Sequence, residues 1–68
     1  GIEDSEVGIR GRIYLGRARA ASGDLAGARE LLVRTRKEVD GIGMQKAEWG
    51  EALRPLLAKL ESAVGGSA

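Results

Sequence analysis

The chain has 68 residues, of which 11 are basic and 10 acidic, giving a net charge of +1, and a chain this short forms one small domain at most. It contains no cysteine and no histidine, which excludes disulfides, thiolate zinc sites, Cys–His pairs and Ser-His-Asp triads. The balanced charge argues against a dedicated nucleic-acid binder, whose charge is usually lopsided. We therefore expect a protein without catalysis and without a cofactor.

The two ends of the chain are predicted to lie outside the folded domain. Residues 65–68 have the composition of a flexible linker, and residues 1–4 are expected to be disordered. Residues 5–64 then form a single all-α domain with three helices. No apolar run approaches the roughly 20 residues that a membrane span needs, and no signal-peptide pattern is present. We expect a cytoplasmic protein that makes no contact with a membrane.

The first predicted helix covers residues 5–22, and its apolar side chains form two stripes at 100° per residue. One stripe consists of Ile9, Ile13 and Ala20, and the other of Val7, Tyr14, Ala18 and Ala21. Arg10 and Arg17 lie one above the other in the seam between the stripes. A helix with two apolar stripes is expected to have a neighbour on each of two sides.

A sharp turn is predicted after the first helix. Gly23 suits the left-handed residue just past a helix end, and Asp24 suits the N-cap of the next helix. The first two helices should therefore pack antiparallel. The second helix is expected over residues 25–39, with one apolar face. It should end at residues 40–43, where two glycines in close succession favour a loop.

The third predicted helix covers residues 45–64 and is the most hydrophobic of the three. Its apolar residues lie within one broad face, which is expected to be core rather than a partner-binding face: Trp49, Leu53, Leu56, Leu57, Leu60 and Val64. Pro55 falls in the middle, where a proline removes a hydrogen bond and costs about 3 kcal/mol. Two outcomes are open: a kink, which we favour because no capping residue precedes Pro55, or a break with Pro55 beginning a new helix.

The spacing of small and apolar residues around the turn resembles the tetratricopeptide repeat, a helix–turn–helix unit of about 34 residues. The matching residues are Leu15, Gly16, Ala18, Gly23, Asp24, Leu25, Ala28 and Leu32. Residues 15–32 look most like the degenerate repeats of large bacterial transcriptional activators and cyclase-associated regulators. Residues 9–42 correspond to one repeat and residues 43–64 to the first helix of the next, about one and a half repeats in all.

The resemblance implies a packing role for several matching residues. Gly16 and Ala28 would be small because two helices cross closely there, and Leu15 and Leu32 would fill the space beside the crossing. Gly23 and Asp24 make the turn, both in the repeat and by the local signals described above. Such arrays generally need about three units to bury a continuous core. The remaining surface would therefore be covered by more repeats, by the third helix or by a second copy of the chain.

The first helix of each repeat lines a concave groove in this family. The resemblance places five residues in that groove: Arg10, Ile13, Arg17, Ala20 and Ala21. The chain departs from the family at Arg12 and Arg19, where large aromatic residues are usual. We expect that side of the helix to be exposed or covered by a different partner.

These patterns favour a protein–protein interaction module, regulatory or scaffolding, that binds an acidic peptide or protein. The planar fork of donors on Arg10 and Arg17 suits carboxylates. The competing interpretation is that both arginines pair within the chain, with acids such as Glu6, Glu48 and Glu51. Three other functions stay open: a homodimerisation domain, a nucleic-acid-binding bundle, and a fragment of an enzyme whose catalytic part lies elsewhere. The second rests on residues 10–37, which hold eight arginines and lysines against two acids.

Overall fold

The computed structural model describes residues 5–65, so the predicted disorder of residues 1–4 and most of the predicted flexible tail lie outside the described residues. Three α-helices follow one another: α1 (Glu6–Ala21), α2 (Leu25–Gln45) and α3 (Ala47–Ala63). Each helix packs against the other two. The predicted all-α class, with a helical hairpin and a third helix against it, is confirmed.

Local sequence signals set the ends of α1 and the turn that follows it. Ser5 caps the first turn of α1, its side-chain oxygen accepting a backbone N–H. Gly23 takes a φ of +94°, in the left-handed region that favours glycine. The Asp24 carboxylate accepts a hydrogen bond from the Gly27 N–H at 3.0 Å and caps α2. The predicted turn is confirmed at both residues that define it.

The predicted loop at residues 40–43 is wrong, because α2 continues through it to Gln45. Ile42 is only 5% exposed and extends the buried face that includes Val39. Burial of this isoleucine offsets the helix penalty of the nearby glycines, about 1 kcal/mol each. Gly43 also has a tertiary role, since a Cβ added to Gly50 of α3 would stand 2.8 Å from its Cα. The two glycines let α2 and α3 touch backbone to backbone.

Pro55 lies inside α3, which is continuous from Ala47 to Ala63. The alternative in which Pro55 begins a new helix is therefore wrong, while the favoured kink stays a prediction. Pro55 and Glu51, whose carbonyl loses its helical partner, are both exposed, so water can hydrogen-bond to the freed oxygen.

The core runs the length of the three helices. It consists of Ile9, Ile13, Ala28, Leu32, Val39, Ile42, Leu53, Leu60 and Val64. Gly16 is buried beside this core, and a Cβ added there would stand 3.0 Å from a Leu60 methyl and 3.3 Å from the Leu31 Cβ. Gly16 therefore lies where α1 packs tightly on α3 as well as on α2, whereas the resemblance placed it at a crossing of the first two helices alone. Thr35 is fully buried, and its hydroxyl donates to the Leu31 carbonyl oxygen at 2.7 Å.

Two residues predicted to fill the interior lie nearer the surface. Leu15 is 45% exposed, so it does not fill the space beside the helix crossing, whereas Leu32 does. Trp49 is 36% exposed, and the Lys46 ammonium lies 4.7 Å from its ring centroid. The ring makes this cation–π contact near the start of α3, outside the core cluster.

Candidate functional site

The outward face of α1 carries a continuous row of apolar and small residues. They are spaced alternately four and three positions apart, and we call them the outer stripe: Val7, Gly11, Tyr14, Ala18 and Ala21. All of them are exposed, with Val7 69% and Tyr14 47% accessible. Alternating four and three spacing keeps side chains in line along one side of a helix. The outer stripe therefore runs the full length of α1 in solvent.

The other apolar stripe of α1 is the one that enters the core. Ile9 and Ile13 are 1% and 0% exposed, Gly16 is buried, and Ala20 is half-buried against the same cluster. Both α2 and α3 cover this stripe, so the predicted neighbour is confirmed for this one of the two stripes. Within residues 5–65 nothing covers the outer stripe, and this unpartnered face is the candidate site.

Arg10 and Arg17 border the outer stripe along one edge. Arg10 is exposed and forms an ion pair with Glu6, one turn earlier on the same helix. Arg17 is half-buried, and no ion pair or hydrogen bond within residues 5–65 engages its guanidinium. The competing interpretation is therefore confirmed for Arg10 and Glu6, whereas Arg17 keeps its donors available.

The structure separates the five residues that the resemblance placed in a groove. Arg10, Arg17 and Ala21 reach the surface. Ile13 is 0% exposed, so the expectation that it lines an accessible groove is corrected. Ala20 is turned towards the core as well. The sequence could not decide between the two stripes, because that choice depends on where α3 packs.

Gly11 is a residue of the candidate site that the sequence analysis missed. It lies four residues after Val7 and three before Tyr14, in line with both. A Cβ built on Gly11 would meet no atom within 4 Å. The signal was available in the sequence, since a glycine that continues an apolar row at helical spacing belongs to that row.

Arg12 faces α2. Its Nε and terminal nitrogen donate to the two carboxylate oxygens of Glu38 at 2.9 and 2.7 Å. Arg34 approaches the same carboxylate at 3.5 Å. The Arg12 and Glu38 side chains are only 14% and 19% exposed, so this bidentate pair cross-links the hairpin in a partly desolvated setting.

Glu38 also lines a groove of about 280 Å³ between the ends of α1 and α2. The other lining residues are Ile9, Gly41, Ile42 and Gln45. Because Arg12 donates to both carboxylate oxygens, Glu38 serves the fold at the wall of this groove. No three acidic side chains of residues 5–65 come together in a group suited to a metal ion. None of the described helices has the length and apolar character of a membrane span.

Comparison with protein-family models, with curated proteins and with solved structures gave no match. The resemblance to the tetratricopeptide repeat therefore stays a prediction carried by the residues of the hairpin.

Proposed function

We propose that this chain is a non-catalytic protein-interaction module whose outer stripe binds an acidic segment of a partner protein. The observation that carries the proposal is an exposed apolar row along all of α1, bordered by Arg10 and Arg17. Continuous exposed apolar surface is typical of interaction sites. Tyrosine and arginine, here Tyr14 and Arg17, are residue types enriched at such interfaces.

The resemblance to the tetratricopeptide repeat supports the same function, since helical hairpins of that family bind peptides and partner proteins. A regulatory or scaffolding role, a bacterial source and a cytoplasmic location belong to this proposal. The structure adds a reason to place the contact on the outer stripe rather than on the stripe that contains Ile13, because Ile13 is buried.

Arg17 indicates the sign of the partner's charge. Arg17 is half-buried and forms no ion pair within residues 5–65, so its guanidinium gains charge-assisted hydrogen bonds when a carboxylate arrives. Arginines at the border of an apolar patch also steer acidic partners towards it and disfavour basic ones. Binding should therefore weaken as salt rises.

The other two binding functions fit the surface less well. In an antiparallel pair of copies joined through α1, Arg10 and Arg17 would face the same arginines of the other copy, which is unfavourable. For nucleic acid, six of the eight arginines of the chain are already paired with acids. The two that remain, Arg17 and Arg29, lie on different helices.

Reversing the charge of Arg17 is expected to weaken binding of an acidic probe. The probe is a synthetic helical peptide with leucine at its core heptad positions and glutamate beside them (the Glu peptide). R17E should raise its Kd about ten-fold, because a favourable charge contact becomes a repulsive one. Fluorescence anisotropy of the labelled peptide at low salt measures the change.

The matched control is R29E, which makes the same charge change at an exposed arginine of α2. It should leave the Kd within about two-fold of the original, since this change acts on the peptide only through long-range electrostatic interactions, which salt screens. A second control peptide carries lysine in place of glutamate and should bind at least about ten-fold more weakly. Equal effects of R17E and R29E, or equal binding of the two peptides, would contradict the proposal.

A further inference from the structure

Gly11 is the one residue of the outer stripe without a side chain, and none of residues 5–65 packs against it closely enough to require a glycine. Gly16 and Gly50 are explained by close neighbours, since an added Cβ would stand 3.0 Å from Leu60 and 2.8 Å from Gly43 respectively. At Gly11 the same Cβ would meet no atom within 4 Å. A glycine in a helix interior weakens the helix relative to alanine, so the fold of this chain gains nothing from it.

The side chains on either side of Gly11 leave a depression in the surface of α1 at the glycine. Val7 lies one turn before it and Tyr14 one turn after it, and both side chains stand in solvent at 69% and 47% exposure. The bare backbone at Gly11 is therefore a gap between two projecting apolar side chains. When helices pack side by side, a bulky side chain of one enters a hole formed by four residues of the other. A glycine in that hole makes it deeper.

We propose that the partner presents an acidic amphipathic helix, with one bulky apolar side chain seated over Gly11 between Val7 and Tyr14. This inference rests on the proposed function and names the conformation and register of its ligand. A single extended strand would not match a row spaced alternately four and three along a helix, whereas a helix with a heptad pattern does.

The charges along the stripe complete the description of the partner helix. Arg10 and Arg17 are seven residues apart, which is about 10 Å along the axis of α1. An acid on one edge of the partner helix meets Arg17, and a second acid seven residues away competes with Glu6 for Arg10. A second copy of α1 lacks this pattern, because its own edge carries the same arginines. The occupant is thus a helix of a different, acidic protein.

Filling the gap at Gly11 is expected to separate stability from binding. G11A should raise the midpoint of urea unfolding, because an exposed helical glycine becomes alanine. The same variant should raise the Kd for the Glu peptide about three-fold, and G11L about ten-fold, because the hole is then occupied. Circular dichroism measures the midpoint, and fluorescence anisotropy measures the Kd.

G41A is the matched control, because Gly41 is also an exposed helical glycine whose added Cβ meets no atom within 4 Å. It should raise the midpoint similarly and leave the Kd unchanged. If G11L binds as tightly as the original chain while R17E still binds weakly, the placement of a partner side chain over Gly11 is overturned and the proposed function stands. If the original chain does not bind the Glu peptide, both the proposed function and the placement of a partner side chain over Gly11 are overturned. If sedimentation equilibrium shows a dimer that G11L abolishes, the acidic partner is overturned in favour of a second copy.

Discussion

Replacing Gly50 by alanine is expected to destabilise the domain by roughly 2–3 kcal/mol. The added Cβ would stand 2.8 Å from the Gly43 Cα and 3.6 Å from the Gly43 nitrogen. Both are backbone atoms, which have no alternative rotamer, so α2 and α3 must move apart. Moving them would loosen the burial of Ile42 and Leu53, which are 5% and 0% exposed on the two facing helices. Urea unfolding followed by circular dichroism measures the loss.

Gly43 provides a control from the other side of the same contact. A Cβ added at Gly43 would stand 3.5 Å from the Gly50 Cα, an ordinary van der Waals distance. G43A should therefore leave stability unchanged or raise it by up to about 1 kcal/mol through helix propensity. If G50A unfolds the chain altogether, its helical circular dichroism signal is lost while that of G43A is kept, and this result also supports the contact. Equal stability of the two variants would mean that α2 and α3 do not meet at these glycines.

Removing the Glu38 carboxylate is expected to destabilise the hairpin by about 2 kcal/mol. E38A leaves Arg12, whose side chain is only 14% exposed, without its bidentate partner. The desolvation of that cation is then no longer offset by two charge-assisted hydrogen bonds. A double-mutant cycle with R12A and E38A should give a coupling free energy of about 1–2 kcal/mol.

The Arg36–Glu61 pair is the comparison for this cycle. It joins α2 to α3 at 2.5 Å, but its side chains are 48% and 35% exposed. Solvent screening should reduce its coupling to about 0.5 kcal/mol or less. Equal coupling free energies for the two pairs would contradict a special role for the Arg12–Glu38 cross-link, which is both less exposed and bidentate.

The parts of the fold that depend on local chemistry were predictable from the sequence. The turn is an example, because Gly23 needs only its own left-handed backbone and Asp24 caps the helix that it begins. The end of α2 was not predictable in this way. Gly41 and Gly43 favour a loop locally, but Ile42 is buried and Gly43 lies against Gly50. Both effects require α3 to be in place, so tertiary packing overrides propensity.

The candidate site, too, was predictable from the sequence only where it depends on local pattern. The two apolar stripes of α1 follow from helical periodicity, and so does the shared edge of Arg10 and Arg17. Which stripe is buried depends on α2 and α3, and that assignment moves Ile13 into the core and leaves Tyr14 outside. The pairing of Arg12 with Glu38, 26 positions away, was equally outside the reach of local patterns.

A titration of the ¹⁵N-labelled chain with the Glu peptide, followed by amide chemical shifts, tests the central claim most directly. The largest shifts should fall on the outer stripe, at Val7, Gly11, Tyr14 and Ala18, and at Arg17 beside it. Amides of the exposed α2 residues Val33 and Lys37 should barely move. Shifts centred on α2 or α3, or no shifts at a peptide concentration that saturates the anisotropy signal, would contradict docking on the outer stripe.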